Sequence, residues 1–170
     1  IIDIGKALGV SLVRFENLNV ITPEEAERNR EMIARQFEGV PFVMNENISG
    51  EILGDIAARV QRIMETRYPV PVAVKPPLGR AALAAWYSRS FPAGKGCDTI
   101  RHTLCISEDG TCTACNFQRL QVGNCFSEGI DAVWRGGVFT RFRAVVADRR
   151  LPGCARCCRQ LCGRWCRRAS

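Results

Sequence analysis

Ten cysteines in a chain of 170 residues are the feature that most restricts what this sequence can fold into. The first 96 residues contain none, and all ten lie between Cys97 and Cys166. Secreted disulfide scaffolds are usually short chains whose cysteines compensate for a small core, whereas here a cysteine-free half precedes a cysteine-rich half. We therefore interpret the cysteines mainly as metal-binding thiolates of a cytosolic protein, with disulfides as the less favoured alternative.

The composition is that of a globular protein long enough for one domain or for parts of two. Hydrophobic residues make up 46% and charged residues 24%, which argues against a disordered or collagen-like chain. The longest apolar stretches, residues 70–74 and 81–86, are far shorter than the roughly 20 residues needed to cross a bilayer. No secretory signal is visible after Ile1. We expect no membrane partner and a cytoplasmic location.

The positive charge of the chain is concentrated at its end. Residues 1–134 carry 14 basic and 16 acidic side chains, a net charge of −2, whereas residues 135–170 carry 10 basic and 1 acidic side chain, a net charge of +9. The arginines of this tail alternate with cysteines, which favours a solvated helix face and cations that offset the charge of a thiolate-bound cluster. A basic patch alone is a weak signal, so we do not expect a nucleic-acid partner.

The first half of the sequence predicts alternating helices and strands. Thr22 as N-cap, Pro23 at the first helical position and Glu25 in a capping box predict a helix that runs to about residue 37. Further helices are predicted over residues 2–8 and 52–68, and strands over 11–15, 40–44 and 70–74. Such βα units favour an α/β fold with a parallel sheet. No glycine-rich phosphate loop and no catalytic triad can be assembled in this half.

The second half predicts a small cysteine-rich α+β domain. Two β-favouring runs, 103–107 and 111–115, are joined through Asp109 and Gly110, a strong hairpin signal. A turn is predicted at residues 122–124, followed by helices over 127–134 and 138–149. We place the domain boundary between residues 82 and 83.

The cysteine spacings predict a site built from distant parts of the chain. Cys154 and Cys157 have two residues between them and can place both thiolates on one metal. Cys97 and Cys115, at the entry and the end of the hairpin, supply two further soft ligands. Four thiolates suit either zinc or an iron-sulfur cluster, and the spacing alone leaves both open.

The cysteine-rich half also carries an ordered set of features of one known family: Cys97, Leu104, Ile106, Asp109-Gly110, Cys115, Val122-Gly123-Asn124, Glu128, Ile130, Trp134, Arg143, Cys154 and Cys157. With these residues, positions 97–166 resemble the SPASM or twitch extension of radical S-adenosylmethionine enzymes. The first 78 residues are similar to the last βα units of the partial barrel that precedes this extension. The resemblance implies a partial (β/α) barrel followed by a hairpin-and-helix cap that binds auxiliary 4Fe-4S clusters.

The resemblance implies one of two ligand arrangements. In the shorter twitch form, Cys97, Cys115, Cys154 and Cys157 hold a single auxiliary cluster. In the two-cluster SPASM form, Cys166 joins Cys97 and Cys115, while Cys154, Cys157 and Cys162 hold the second cluster. Both arrangements stay open at this point.

The match to the two-cluster form is imperfect. The series from Cys154 to Cys166 is one residue shorter than the SPASM spacing, and a further downstream cysteine is absent. Cys162 and Cys166, which follow Cys158 at intervals of four, could instead line one face of a helix. The remaining cysteines are expected as buried small hydrophobes or spare thiols: Cys105, Cys112 and Cys125.

For activity, the resemblance implies a longer enzyme. The family's radical-generating cluster uses a C-x-x-x-C-x-x-C loop, and residues 1–96 contain no such loop, so we expect this chain alone not to cleave S-adenosylmethionine. We interpret it as the carboxyl-terminal part of an oxidoreductase or maturase that uses S-adenosylmethionine and a radical-generating 4Fe-4S cluster. A peptide or protein substrate and an electron donor such as a flavodoxin or ferredoxin are the expected partners. Cations that could tune the auxiliary cluster are Arg143, Arg156 and Arg159.

The competing hypothesis is a zinc-binding module without redox chemistry, whose basic tail contacts nucleic acid or an acidic partner. Zinc content without acid-labile sulfide would distinguish it from the iron-sulfur hypothesis.

Overall fold

The computed structural model describes residues 1–44, 47–48, 53–88, 97–148 and 151–157. The helices are α1 (Ile2–Ala7), α2 (Pro23–Gln36), α3 (Leu53–Glu65), α4 (Arg80–Trp86), α5 (Cys125–Glu128), α6 (Ile130–Arg135) and α7 (Gly137–Ala147). The strands are β1 (Val13–Glu16), β2 (Val20–Ile21), β3 (Phe42–Met44), β4 (Asn47–Ile48), β5 (Val72–Lys75), β6 (Cys105–Ile106), β7 (Thr111–Thr113) and β8 (Gln118–Asn124). Two short 3-10 turns cover Thr99–Arg101 and Pro152–Cys154. The described chain is therefore a mixed α/β structure.

Helix α2 begins as the sequence predicted. The Thr22 side chain accepts a hydrogen bond from the Glu25 backbone N–H at 3.2 Å, and Oε2 of Glu25 accepts one from the Thr22 N–H at 2.9 Å. This capping box and Pro23 satisfy the first free N–H groups of the helix. The chain leaves the helix through Gly39, whose φ of 72° is accessible to glycine at little cost. The predicted helix start and stop are both confirmed.

Parallel strand pairs occur in the first half. Strand β1 pairs with β5 in the register Val13 to Val72, and β2 pairs with β4 in the register Val20 to Asn47. Parallel partners need a crossover between them, and helices α2 and α3 lie within these connections. The βα character predicted for this half is therefore present as two separate two-stranded sheets.

Helices α3 and α4 cover the β2 strand with an apolar core. Val20, Leu83, Trp86 and Tyr87 are buried together, with the α3 side chain Val60 packed against them. The indole N–H of Trp86 donates to the Leu18 carbonyl at 2.9 Å, so the one polar group of this buried ring has a partner.

Strand β3 departs from the predicted parallel sheet. It pairs antiparallel with β8 of the cysteine-rich half, in an order β3-β8-β7-β6, with Phe42 opposite Leu120. Met44 at its end is buried against Ile21 and Phe117. The prediction of a parallel sheet over residues 1–78 was therefore wrong for β3. The local pattern of an apolar strand does not specify which strand it will pair with.

The predicted hairpin is confirmed, and the turn predicted after it was wrong. Strands β6 and β7 pair antiparallel around Gly110, which has φ of 79°, and Asp109 accepts a hydrogen bond from the Thr111 N–H at 2.9 Å. Residues 122–124 are the last residues of β8 rather than a turn. Gly123 is required there for space, because a Cβ would lie 2.8 Å from the Val133 side chain.

The main core lies between the antiparallel sheet and the last helices. Its buried members include Leu120 and Phe142, and the α2 residues Ile33 and Phe37 belong to the same cluster. The helix predicted to begin at Ser127 is two helices, α5 and α6, which Gly129 separates. Among the described residues, no helix combines the length and apolar character that a bilayer crossing requires.

Candidate metal centre

Four cysteines from three distant segments line one cavity. The cavity has a volume of about 80 Å³ and is bordered by Cys97, Cys115, Cys154 and Cys157. These are the four residues that the resemblance assigns to a single cluster in the twitch form, and the fold brings all four to one cavity. Cys162 and Cys166 lie outside the described residues, as does Cys158. The seven described cysteines are free thiols with no disulfide among them.

Local structure explains how each segment reaches the cavity. Cys97 leads into the 3-10 turn Thr99–Arg101, which is anchored by the buried side chain of Ile100. Cys115 follows β7, the second strand of the hairpin. Cys154 ends the other 3-10 turn, and the N–H of Cys157 donates to its carbonyl at 3.2 Å. Each cysteine therefore lies close to the end of a short element rather than within a regular strand or α-helix.

Arg143 is hydrogen bonded to the 3-10 turn that follows Cys97. Its guanidinium lies 4.2 Å from the ring centre of Trp134 and 3.8 Å from that of Phe139. Its Nε donates to the Ile100 carbonyl at 3.2 Å, and its Nη1 donates to the Trp134 carbonyl at 2.8 Å. The arginine thus connects α6 and α7 to the first cysteine segment. Of the three arginines singled out from the sequence, Arg143 is held by stacking and hydrogen bonds, and Arg159 lies outside the described residues.

Arg156 lies between the cysteines of the Cys154 to Cys157 turn and is almost fully buried, at 2% exposed. Its Nη1 forms an ion pair with Glu25 at 2.5 Å. Its Nε donates to the Trp86 carbonyl at 2.8 Å, and its Nη2 donates to the Ser88 carbonyl at 2.7 Å. This one side chain therefore connects the cysteine turn to the first turn of α2 and to the end of α4.

A pair of buried amides holds the same turn from a second side. Asn29 of α2 and Gln118 of β8 are both fully buried and hydrogen bonded to each other at 3.0 and 3.1 Å. The Gly153 N–H donates to Oδ1 of Asn29 at 2.9 Å. A Cβ on Gly153 would lie 2.5 Å from Nε2 of Gln118, so the turn approaches the amides as closely as only glycine permits.

Gln118 also contacts two of the cysteine sulfurs. Its backbone N–H donates to Sγ of Cys115 at 3.1 Å, and its side-chain Nε2 points to Sγ of Cys154 at 3.9 Å, a long contact even for sulfur. Sequence reasoning missed Asn29 and Gln118. A signal existed for Asn29, because it lies at helical spacing between Ala26 and Ile33, two buried residues of α2.

Burial raises the pKa of the Cys154 thiol, and the charges of Cys115 and Cys97 raise it further, while the hydrogen bond from Gln118 opposes them. Burial likewise raises the pKa of Cys115, although the backbone N–H groups of Gln118 and Phe117 counteract it. These thiols favour the neutral form by themselves. A bound cation reverses that preference, because coordination stabilises the thiolate.

The donor set fits an iron-sulfur cluster in number and in chemistry. Clusters are held by four cysteine thiolates distributed over several irons. A single zinc ion instead draws four sulfurs to within roughly 3.8 Å of each other, since each Zn–S bond is about 2.3 Å long. Within the described ranges, no group of three or more His, Cys, Asp or Glu side chains is arranged to hold one metal ion. The four cysteines line one cavity as a complete set of cluster ligands.

The other described cysteines do not line the cavity. Cys112 is fully buried beneath the hairpin, with its Sγ 3.4 Å from the Gly110 carbonyl, as expected for a small core residue. Cys105 and Cys125 are half-buried thiols.

Comparison with known families gives the class of the cysteine-rich half. Residues 97–158 match the SPASM family, described as an iron-sulfur cluster-binding domain. The match agrees with the resemblance, and it is consistent with the carboxyl-terminal SPASM domain of a radical S-adenosylmethionine enzyme. The matched segment contains all four cysteines of the cavity and ends before Cys162. Searches of curated proteins and of solved structures found no match to this chain.

Proposed function

We propose that the cavity binds one auxiliary 4Fe-4S cluster through Cys97, Cys115, Cys154 and Cys157. The observation that carries this proposal is the convergence on one cavity of four thiols that are spread over some sixty positions of a SPASM domain. The chain supplies thiolates from three turns, and two buried amides and one buried arginine hold the last of these turns in place. The bound cluster would accept or relay an electron, or anchor the substrate.

We favour the single-cluster form, because the four cysteines of the cavity provide one complete set of four ligands. The alternative assigns Cys166 to the first cluster and uses Cys162 with Cys154 and Cys157 for a second. Both additional cysteines lie beyond the segment that matches the SPASM family. Four irons per chain would support the first form, and about eight would support the second.

We further propose that the auxiliary cluster serves a radical S-adenosylmethionine enzyme of the oxidoreductase or maturase kind. Two features support this: the SPASM match, and the parallel pairs β1–β5 and β2–β4 with helices between them, which agree with the last units of a partial barrel. In this proposal the radical is generated at a C-x-x-x-C-x-x-C loop, a motif that these 170 residues do not contain. A peptide or protein is the proposed substrate, a flavodoxin or ferredoxin the proposed electron donor, and the cytoplasm the proposed location, where thiols stay reduced.

The test is anaerobic reconstitution of the full chain with ferrous iron and sulfide. Iron and acid-labile sulfide are then measured, and the reduced protein is examined by EPR spectroscopy. We expect about four irons and four sulfides per chain in the wild type, and a loss of most of the cluster in Cys97→Ala, Cys115→Ala, Cys154→Ala and Cys157→Ala.

The matched control is Cys125→Ser, which alters a half-buried cysteine that does not line the cavity and should retain the wild-type cluster content. A colourless protein that binds stoichiometric zinc and no sulfide would contradict the proposal and support the zinc-binding module. Loss of the cluster in the control as readily as in the four variants would contradict the ligand assignment.

A further inference from the structure

The amide pair of Asn29 and Gln118 is a buried polar contact between residues 89 positions apart in sequence. Burying amides costs free energy unless every polar atom has a partner, and an apolar pair of the same size would fill the space with less risk. The hydrogen bonds of these two residues determine what each amide can donate.

The backbone of the cysteine turn fixes the orientation of Asn29. The Gly153 N–H requires an acceptor, and only Oδ1 of Asn29 can accept, at 2.9 Å. Nδ2 of Asn29 then points to Oε1 of Gln118 at 3.0 Å and to Sδ of Met44 at 3.3 Å. Rotating the Asn29 amide by half a turn would place its NH₂ group against the Gly153 N–H. Two donors would then face each other without an acceptor, so the observed orientation is the one that the site permits.

The orientation of Asn29 in turn fixes that of Gln118. Nε2 of Gln118 donates to Oδ1 of Asn29 at 3.1 Å, which leaves the second hydrogen of the same NH₂ group free to point elsewhere. That group lies 3.9 Å from Sγ of Cys154. In the same residue, the backbone N–H donates to Sγ of Cys115 at 3.1 Å. Gln118 thus directs two N–H donors at two sulfurs of the cavity.

We infer that Gln118 positions the cysteine turn and raises the reduction potential of the bound cluster, with Asn29 keeping its side-chain NH₂ directed at Cys154. This inference rests on the proposed function. Hydrogen bonds to cluster sulfurs are a principal means by which a protein sets the potential, because they stabilise the more negative, reduced form. The side-chain contact is long at 3.9 Å, and we expect it to shorten when Cys154 is a thiolate, which is a stronger acceptor than a thiol.

Gln118→Met tests the inference, since methionine has a similar length and shape but no N–H group. The full chain is reconstituted with ferrous iron and sulfide, reduced in steps with dithionite, and its midpoint potential is followed by EPR. We expect the potential of Gln118→Met to be more negative than that of the wild type, with a lower iron content. The matched control is Gln121→Met, three positions along β8 and on the opposite face of that strand, which should leave the potential unchanged.

Two further measurements keep the test decisive if Gln118→Met does not fold. Gln118→Glu retains Oε1 as the acceptor for Asn29 but removes the NH₂ donor, so its potential should also fall. In the wild type, labelling the side-chain nitrogen of glutamine isotopically should produce a hyperfine coupling to the reduced cluster in pulsed EPR, and this measurement requires no variant. The contact to Cys154 predicts such a coupling.

The outcomes separate this inference from the proposed function. A wild-type cluster with an unchanged potential in both Gln118 variants, and no coupling to labelled glutamine, would overturn the role of Gln118 while leaving the cluster assignment intact. A wild-type protein that binds no iron and sulfide would overturn both. A shift in the Gln118 variants that Gln121→Met reproduces would also count against the inference, because it would reflect the strand and not the donor.

Discussion

Two regions of the molecule, the β2, α3 and α4 region and the cysteine turn at residues 153–157, are stabilised by different kinds of interaction. The β2, α3 and α4 region of the first half is packed through apolar side chains such as Val20, Leu83 and Trp86. The cysteine turn is held by buried polar groups: the Glu25–Arg156 ion pair and the Asn29–Gln118 amides. Apolar packing tolerates changes that conserve volume, whereas hydrogen-bonded groups require a particular atom at a particular place. The difference indicates that the polar contacts hold the thiols of Cys154 and Cys157 at defined positions.

The largest expected effect comes from breaking the buried ion pair. Arg156→Met removes the ion-pair partner of buried Glu25 and leaves its carboxylate with the Thr22 N–H as a donor but no neutralising charge, which should cost about 3–5 kcal/mol of unfolding free energy. Denaturant titration of the cluster-free chain measures this loss. The control is Arg30→Met, which removes an exposed ion pair with Glu27 and should cost less than about 1 kcal/mol. Equal losses in the two variants would contradict the structural role of Arg156.

Leu83 tests the apolar side of the comparison. Leu83→Ala should destabilise the chain by about 2–5 kcal/mol, because the residue is 1% exposed and a cavity would remain. Leu83→Met, which nearly conserves volume, should cost less than about 1.5 kcal/mol. Thermal unfolding monitored by circular dichroism distinguishes the two. A large loss of stability in Leu83→Met would mean that this apolar core tolerates substitution no better than the cysteine turn does.

Gly153→Ala tests the close approach of the turn to the amide pair. The added Cβ would lie 2.5 Å from Nε2 of Gln118 and 2.9 Å from Oδ1 of Asn29, so the turn or the amides must move. Such overpacking costs about 1–3 kcal/mol, and it should also lower the iron bound after reconstitution. The control is Gly79→Ala, a position where a Cβ meets nothing within 4 Å. Retention of a full cluster in Gly153→Ala would show that the turn has room to adjust.

The smallest effect is expected at the hairpin. Hydrogen bonds from the backbone and side chain of Thr111 lower the pKa of Asp109, which is otherwise fully exposed. A lowered pKa in the folded state contributes stability that is present above the unfolded value near pH 4 and is lost as the pH falls through the folded pKa. The difference in melting temperature between the wild type and Asp109→Ala should therefore narrow below about pH 4. A difference that is constant with pH would show that the carboxylate charge is not involved.

Signals that are local in sequence predicted much of this structure. The capping box of α2 and the Asp-Gly hairpin turn are specified by residues within a few positions of each other, and both occur as predicted. The convergence of Cys97, Cys115 and the later pair on one cavity followed from their chemistry and from a family resemblance. The hydrophobic periodicity of the sequence alone does not predict how far apart these cysteines lie in the fold.

What the sequence did not reveal are the partners of distant residues. The pairing of β3 with β8, and the contact of Asn29 with Gln118, join positions far apart in the chain, and no local pattern encodes them. Arg156 illustrates the difficulty most clearly, since an arginine in a basic, cysteine-rich tail resembles a solvated surface residue. Only the fold shows that Glu25 and two backbone carbonyls surround it.

The pairing of β3 with β8 bears on any attempt to isolate the segment that matches the SPASM family. Removing the chain before residue 97 would take away β3, one of the two neighbours of β8, and leave backbone amide and carbonyl groups of residues 118–121 without partners. Exposed strand edges of this kind promote self-association. A shortened fragment should therefore precipitate or form multimers. A fragment that includes residues 23–44 retains β3 as the partner of β8, and it also retains Glu25 and Asn29 of α2, which contact the cysteine turn.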